Sequence, residues 1–359
     1  MKYIKNDEMV QINNNANNEN FNYPTKNSSS YFYSFIKILY ILLSIFIITT
    51  LFKKMNQEYQ KEENIKEFRN SENNNSENFL DLDKFEVNIY NNINNNDLYR
   101  CSRMWGNQKE FLNGVVRKFK PKKVLEIGVA EGGSSIIILN AIKDIEDAHL
   151  YSIDLSTNNM IGYCVKNIFQ NLSNKWSLYT GNIPAKFMKS IGNNIDMVFI
   201  DSAHFEPGEI LDFLIALPFL KEEAIVMFHD IGNQITKCGE KGSRRNFAPY
   251  KIFNIIRGTK IYPSGNNILT KDIGAIKLDK NQYKYIHDYF RTLGGQWDYF
   301  PEEVHIKMIR KFIETYYDKD CLLMFEETVK FNRDFVKNNP VDVKAVYDSI
   351  SKQHFLEKK

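Results

Sequence analysis

Apolar positions are spread unevenly along this chain, and their spacing divides it before any motif is read. Residues 1–30 carry no periodic apolar pattern and are crowded with asparagine, as at Asn13, Asn14, Asn15, Asn17, Asn18 and Asn20. Such a segment has too little to bury to offset the entropy of ordering, and a disordered tail is expected. Tyr31 to Phe52 is almost continuously apolar, with Lys37 its single charge. As a helix these residues would extend roughly 33 Å, enough to cross a bilayer. A buried core helix is the alternative, but polar sequence on both sides leaves it nothing to pack on, so one transmembrane helix is expected over 31–52. A cleaved signal peptide fits less well, because the run ends in Leu51-Phe52-Lys53 with no small-residue cleavage site. Residues 53–97 return to charged, asparagine-rich sequence and read as a polar tether.

From Leu98 the pattern changes to short apolar runs separated by longer mixed segments. Lys123 to Ile127, Leu150 to Asp154, Trp176 to Thr180, Met197 to Asp201 and Ala224 to His229 read as strands; Ser134 to Lys143 and Glu206 to Leu220 read as helices between them. That alternation predicts right-handed βαβ units and a mostly parallel sheet with helices on both faces, in a domain over 98–280. Ligand sites in such sheets lie at the C-terminal ends of the strands. Over 281–359 the period becomes helical, with candidates at Gln282 to Leu293, Glu302 to Tyr317 and Cys321 to Val336. Their aromatics (Tyr283, Tyr285, Tyr289, Phe290, Phe312, Tyr316, Phe325 and Phe331) are expected to pack a C-terminal helical layer, and Trp297 and Tyr299 to pack or to offer a stacking face for a sugar.

Charge and cysteine content narrow the function. With 47 basic against 44 acidic residues in 359, the net charge of +3 leaves little to neutralise phosphates, and no nucleic-acid partner is expected. Lys53, Lys54 and Lys61 after the apolar run outweigh Lys26 and Lys37, which favours a cytoplasmic catalytic domain. Cys101, Cys164, Cys238 and Cys321 lie far apart with no zinc-site spacing, and reduced thiols are expected.

The densest chemistry begins at Val124-Leu125-Glu126-Ile127-Gly128-Val129-Ala130-Glu131-Gly132-Gly133-Ser134. A strand running into glycines and then a helix brings backbone amides close to a ligand with no Cβ in the way, although a plain tight turn has the same pattern. Neither the dinucleotide nor the phosphate-loop spacing is met. The stretch resembles the first motif of class I S-adenosylmethionine-dependent methyltransferases, in the form found in catechol-type O-methyltransferases. Further residues fit in order: Asp154 after the second strand, Gly181-Asn182 after the third, Ile200-Asp201-x-x-His204 after the fourth and His229-Asp230 after the fifth. The last two resemble a bacterial O-methyltransferase branch that also includes cephalosporin-hydroxylase-like proteins.

The resemblance covers about residues 105–280 and implies a Rossmann-like, seven-stranded fold with S-adenosyl-L-methionine as cofactor. It places Glu126 near the cofactor's ammonium group, Ser134 near its carboxylate, Gly128 and Gly132 along its methionine part, Asp154 on the ribose hydroxyls and Asn182 at the adenine edge. Asp201, His204, His229 and Asp230 become the catalytic candidates, with His204 suited to general-base work because its ordinary pKa lies near neutral; each histidine could equally serve a structural hydrogen bond. Asp201 and Asp230 match two ligands of the magnesium site of catechol-type relatives, while Ile231 stands where their asparagine would be, so either a histidine completes an altered divalent-cation site or no metal is used. The basic loop with Lys237, Lys241, Arg244 and Arg245 is either a solvated loop or a cover over an acidic or sugar-phosphate acceptor. The expected activity is methyl transfer to oxygen of a sugar, glycan, lipid-linked precursor or small metabolite. A hydroxylase-like or other sugar-modifying enzyme and a non-catalytic tethered module remain the alternatives.

Overall fold

The computed structural model describes residue 82 and residues 86–90, 94–101, 104, 106–232, 247–264 and 272–339. The expected tail, the apolar span 31–52, most of the tether and the basic residues of the loop 233–246 lie outside the described residues. Among the described residues no helix is long and apolar enough to cross a membrane.

Helices α1 (Asn95–Cys101) and α2 (Gly106–Phe119) lead into β1 (Lys123–Ile127), α3 (Gly133–Ile142) and β2 (His149–Asp154). A π-helical turn at Cys164–Ile168 precedes β3 (Trp176–Thr180), after which come α4 (Met188–Ile191), β4 (Ile195–Ile200), α5 (Gly208–Ala216) and β5 (Leu220–His229). The remainder is α6 (Phe247–Ile255), β6 (Gly258–Ile261), β7 (Ile273–Leu278), α7 (Ile286–Arg291), α8 (Glu303–Tyr316) and α9 (Lys319–Asn338). The strands form one seven-stranded sheet in the order β3-β2-β1-β4-β5-β7-β6. β1 to β5 are parallel, and β7 runs antiparallel to both its neighbours. The chain winds outward from β1 in one direction and from β4 in the other, so the crevice of this doubly wound sheet opens beyond the C-terminal ends of those two strands.

Period-two alternation sends successive side chains into two separate cores. Leu125, Ile127, Val198, Ile200, Val226 and Phe228 pack with α5, α6 and the C-terminal helices, whereas Val124, Met197, Phe199, Ile225 and Met227 pack with α2 and α3. Burial of each such side chain stabilises the fold by roughly 1.5–3 kcal/mol. Five of the strands are legible in the sequence; β5 begins earlier than its apolar run, because Leu220 pairs with Ile195 ahead of a bulge and the intervening Lys221, Glu222 and Glu223 are exposed. The C-terminal segment is helical as its period predicts. α8 buries Ile306, Ile309, Phe312 and Ile313 on one face, and Asp318 caps α9 by accepting from the Cys321 amide at 2.8 Å. Two of its aromatics stay outside the core: Tyr283 and Phe331 are 47% and 55% exposed and touch only at its margin, against the rings of Tyr317 and Phe335.

The expectation of reduced thiols is corrected for one pair. Cys101, at the end of α1, is joined to Cys164 by a disulfide across 63 residues. Sequence spacing carries no sign of it, because the pair meets only when α1 and the π-helical turn close on the same loop. The Cys164 amide donates to the Glu131 carbonyl at 2.8 Å, and the Cys101 carbonyl lies 2.7 Å from where a Cβ on Gly133 would stand. Cys321 is free and buried.

Candidate active site

The glycine turn is built by contacts that a larger residue would forbid. Gly128 has φ +90°, and a Cβ there would fall 1.8 Å from the Asp201 carbonyl oxygen, so β1 can pass the end of β4 only as glycine. Gly132 also has φ +90° and opens α3. Asp154 braces the turn from the end of β2: its Oδ2 accepts the Val129 and Ala130 amides at 3.0 Å, and its Oδ1 accepts the Ser156 amide at 2.8 Å. Beneath the turn, Glu126 is fully buried and accepts from the hydroxyls of Ser134, Ser135 and Ser152, each at 2.6 Å. Trp176 Nε1 donates to Ser152 Oγ at 2.8 Å, extending the network to β3. Burial raises the Glu126 carboxyl to about 7 against the opposing hydroxyl bonds. Ser134 and Glu126 therefore bond each other below the turn.

Two hollows border this turn. The larger, about 390 Å³, is lined by Gly128, Asp154, Asn182, Ser202 and Asp212 among apolar side chains such as Ile153, Ile183, Leu211 and Ile215. The smaller, about 90 Å³, is lined by Cys101, Val129, Ala130, Gly133, Ser134 and Asp201. Asn182 Oδ1 accepts the Ile183 amide at 3.0 Å, which fixes its side chain at the larger hollow. Asp212 takes a 2.6 Å bond from Ser202 Oγ, and burial pushes its carboxyl up to about 7.

The ends of β4 and β5 bring Asp201, His204, His229 and Asp230 together. His204 Nδ1 lies 2.7 Å from Asp230 Oδ2, and its Nε2 lies 3.8 Å from Asp201 Oδ1. His229 Nδ1 lies 3.3 Å from Asp230 Oδ1 and 3.7 Å from Asp201 Oδ1, yet it is buried and makes no hydrogen bond; its Nε2 meets Gln108 Oε1 at 3.2 Å. Burial disfavours the charged form of both rings, but the surrounding carboxylates outweigh it. Asp201 and Asp230 push His229 up to about 10, while Asp230, Asp201 and Glu209 raise His204. Asp230, although buried, is held well below the usual carboxylate range by the two histidines. Ligand atoms of Asp201, His229 and Asp230 all lie within 4.8 Å of one another. Two carboxylates and an imidazole nitrogen lacking a hydrogen bond suit a divalent cation, for which the His229 proton would have to leave.

Sequence reasoning missed Glu209 and Gln108. Glu209 is buried, its Oε1 accepts the His204 amide, and its Oε2 has no hydrogen-bond partner. An acid in the first turn of a helix reads as a dipole complement, so only its place five residues after His204 could have signalled it. Trp297 is buried, with Nε1 donating to the Leu293 carbonyl at 3.0 Å, whereas Tyr299 lines the larger hollow.

Residues 125–231 match a family model described as a methyltransferase domain, which bears out the resemblance to class I methyltransferases over that stretch. No curated protein matches the chain. Among solved structures, the O-methyltransferase TomG from Streptomyces achromogenes, involved in tomaymycin synthesis and in complex with SAM, is 16% identical, with 56% of this chain and 100% of that one covered at a TM-score of 0.42. An O-methyltransferase from Bacillus cereus in complex with SAH is 18% identical, with 47% and 80% covered at 0.39. The SAH-bound methyltransferase PaMTH1 from Podospora anserina is 15% identical, with 61% and 97% covered at 0.41.

Proposed function

We propose that this chain is an S-adenosylmethionine-dependent methyltransferase acting on an oxygen of a sugar, glycan, lipid-linked precursor or small metabolite. The observation that carries the proposal is the 390 Å³ hollow at the ends of β1, β2 and β4, which joins an apolar lining to the Asp154 carboxylate and Asn182 beside the glycine turn. Its volume lies within the ~300–1,000 Å³ usual for small-molecule sites. Asp154 retains lone pairs for a vicinal diol, Asn182 is placed for a base edge, and the smaller hollow beside the glycine turn is left for the charged amino-acid end. We assign Glu126 and Ser134 to holding the turn rather than to touching the cofactor.

When bound, the cofactor supplies a methyl group already made electrophilic by its sulfonium. The protein's work is then to place the acceptor oxygen in line and to take its proton. His204 is the base in this reading: Asp230 fixes Nδ1 at 2.7 Å, leaving Nε2 toward Asp201, the most open member of the cluster at 24% exposed. Asp201, His229 and Asp230 would hold a divalent cation, whose chemistry there would be to lower the proton affinity of a nearby oxygen. The span 31–52 would carry the domain on a membrane. The lysines that follow it, Lys53, Lys54 and Lys61, favour the cytoplasmic side, whereas the Cys101–Cys164 bond argues for an oxidising compartment.

The test is to incubate the full chain with methyl-labelled S-adenosylmethionine and a panel of sugars, glycans and small hydroxylated metabolites, with and without magnesium. Label on an acceptor oxygen supports the reading. No transfer, with stabilisation by iron and an oxidisable cosubstrate instead, would favour the hydroxylase-like alternative.

A further inference from the structure

The larger hollow is not closed by the sheet domain alone. Besides the strand ends and α5, its lining includes Tyr299, Phe300, Pro301, Glu302, His305 and Ile309, all beyond the residues that match the methyltransferase-domain model. We propose that the C-terminal helical layer is a working wall of the ligand site, contributing the surface against which the nucleobase half of an S-adenosyl ligand packs. This rests on the cofactor reading above and extends it to residues outside that domain.

Three observations carry the assignment. First, the wall is fixed in place. Asp298 Oδ2 accepts the Glu206 amide at 3.0 Å and the Asp298 amide donates back to the Glu206 carbonyl at 3.0 Å, which ties the segment to the β4–α5 connection. Trp297, buried at 2% exposed, packs on Phe300, with ring centroids 5.9 Å apart, and its amide donates to Asn332 of α9 at 2.8 Å. Second, the chemistry suits a flat heteroaromatic ligand. The segment presents two aromatic side chains, a proline and an isoleucine, with His305 and Glu302 as its polar groups, facing a cavity that already holds Asn182, Ser202 and Asp212. Third, a ligand there touches both the strand ends and the layer. α8 buries Ile306 and Ile309 in the core that also takes Ile210 and Leu211 of α5, so a ligand against this wall is coupled to the docking of α8.

The consequence is that ligand binding and order in the layer should rise together. The experiment titrates the full chain with S-adenosylhomocysteine and compares His305→Trp, which fills the cavity from the wall, with Lys307→Trp, two residues along the same helix and exposed. His305→Trp is expected to weaken binding by about tenfold or more, equivalent to ~1.4 kcal/mol, with Lys307→Trp unchanged. In the unaltered chain, amide exchange across Glu303–Tyr316 is expected to slow on adding the ligand, a readout that stands even if His305→Trp fails to fold. Tight binding by the parent with no change in exchange across that helix overturns the wall while leaving the cofactor reading intact. Absence of binding by the parent removes the cofactor reading and this inference with it.

Discussion

His204 and Asp230 meet at 2.7 Å, Nδ1 to Oδ2, and both hold left-handed backbone conformations, with φ of 59° and 60°. For residues other than glycine such conformations cost about 1–3 kcal/mol each and persist where the surroundings impose them, often at functional sites. Here the Glu209 carboxylate accepting the His204 amide is part of that surrounding. His204→Ala is expected to lower methyl transfer at least about a hundredfold, the usual scale of a general base, while leaving S-adenosylmethionine affinity nearly unchanged. Equal loss of turnover and cofactor affinity would mark His204 as structural.

Glu126 makes a statement about pH. Burial raises the carboxyls of Glu126, Glu209 and Asp212 to about 7 in the folded chain, from ordinary values of 4.5, 4.5 and 3.8. Between those limits each of these carboxyls binds more protons in the folded state than in the unfolded one, so the stability the three contribute is present in acid and is lost as pH rises toward about 7; His229, raised to about 10, carries the loss further into base, and Asp230, held low, works the other way in acid. Glu126→Gln keeps an acceptor for the serine hydroxyls but cannot titrate. Its thermal midpoint should fall less between about pH 5 and pH 7 than that of the parent. Glu126→Ala, which strips three hydroxyls of their acceptor, should cost several kcal/mol, at ~1–3 kcal/mol per buried group left unsatisfied. An identical pH dependence in Glu126→Gln would contradict the assignment.

The disulfide couples the redox state to the turn. Linking Cys101 to Cys164 constrains a 63-residue separation, a chain-entropy effect of about 4 kcal/mol. Both cysteines also touch the glycine turn through their backbone. Reduction, or Cys164→Ser, should therefore lower the thermal midpoint and weaken cofactor binding together. Titration of the denatured protein should find at least two fewer thiols before reduction than after; four free thiols without reduction would show the bond absent.

How much of this was legible in the sequence depends on whether a feature is local. The β1 run into Gly128 reads directly, because alternation and a glycine-only contact both leave marks on adjacent residues. His204 and His229-Asp230 stand out as motifs, and parallel pairing of β4 with β5 brings them together. The bond from Ser134 to Glu126 was not legible, because only the reversal of the turn sets those side chains face to face. The Cys101–Cys164 bond was hidden for the same reason at longer range. Of the wall from Tyr299 to Ile309 the sequence offers only Tyr299, as packing or as a stacking face for a sugar; that the whole segment faces a cavity follows only from how α8 docks. Nor could the polar start of β5 be read, since Lys221, Glu222 and Glu223 contribute backbone alone to the strand.

The most direct test of the central claim is calorimetric titration of the full chain, in detergent, with S-adenosylmethionine, alongside Asp154→Ala. The account predicts saturable binding at one site per chain, and its loss in Asp154→Ala, where both the carboxylate for the ribose and the acceptor bracing the Val129 and Ala130 amides are gone. Binding unchanged in Asp154→Ala would remove that residue's role. No binding by the parent chain would contradict the account.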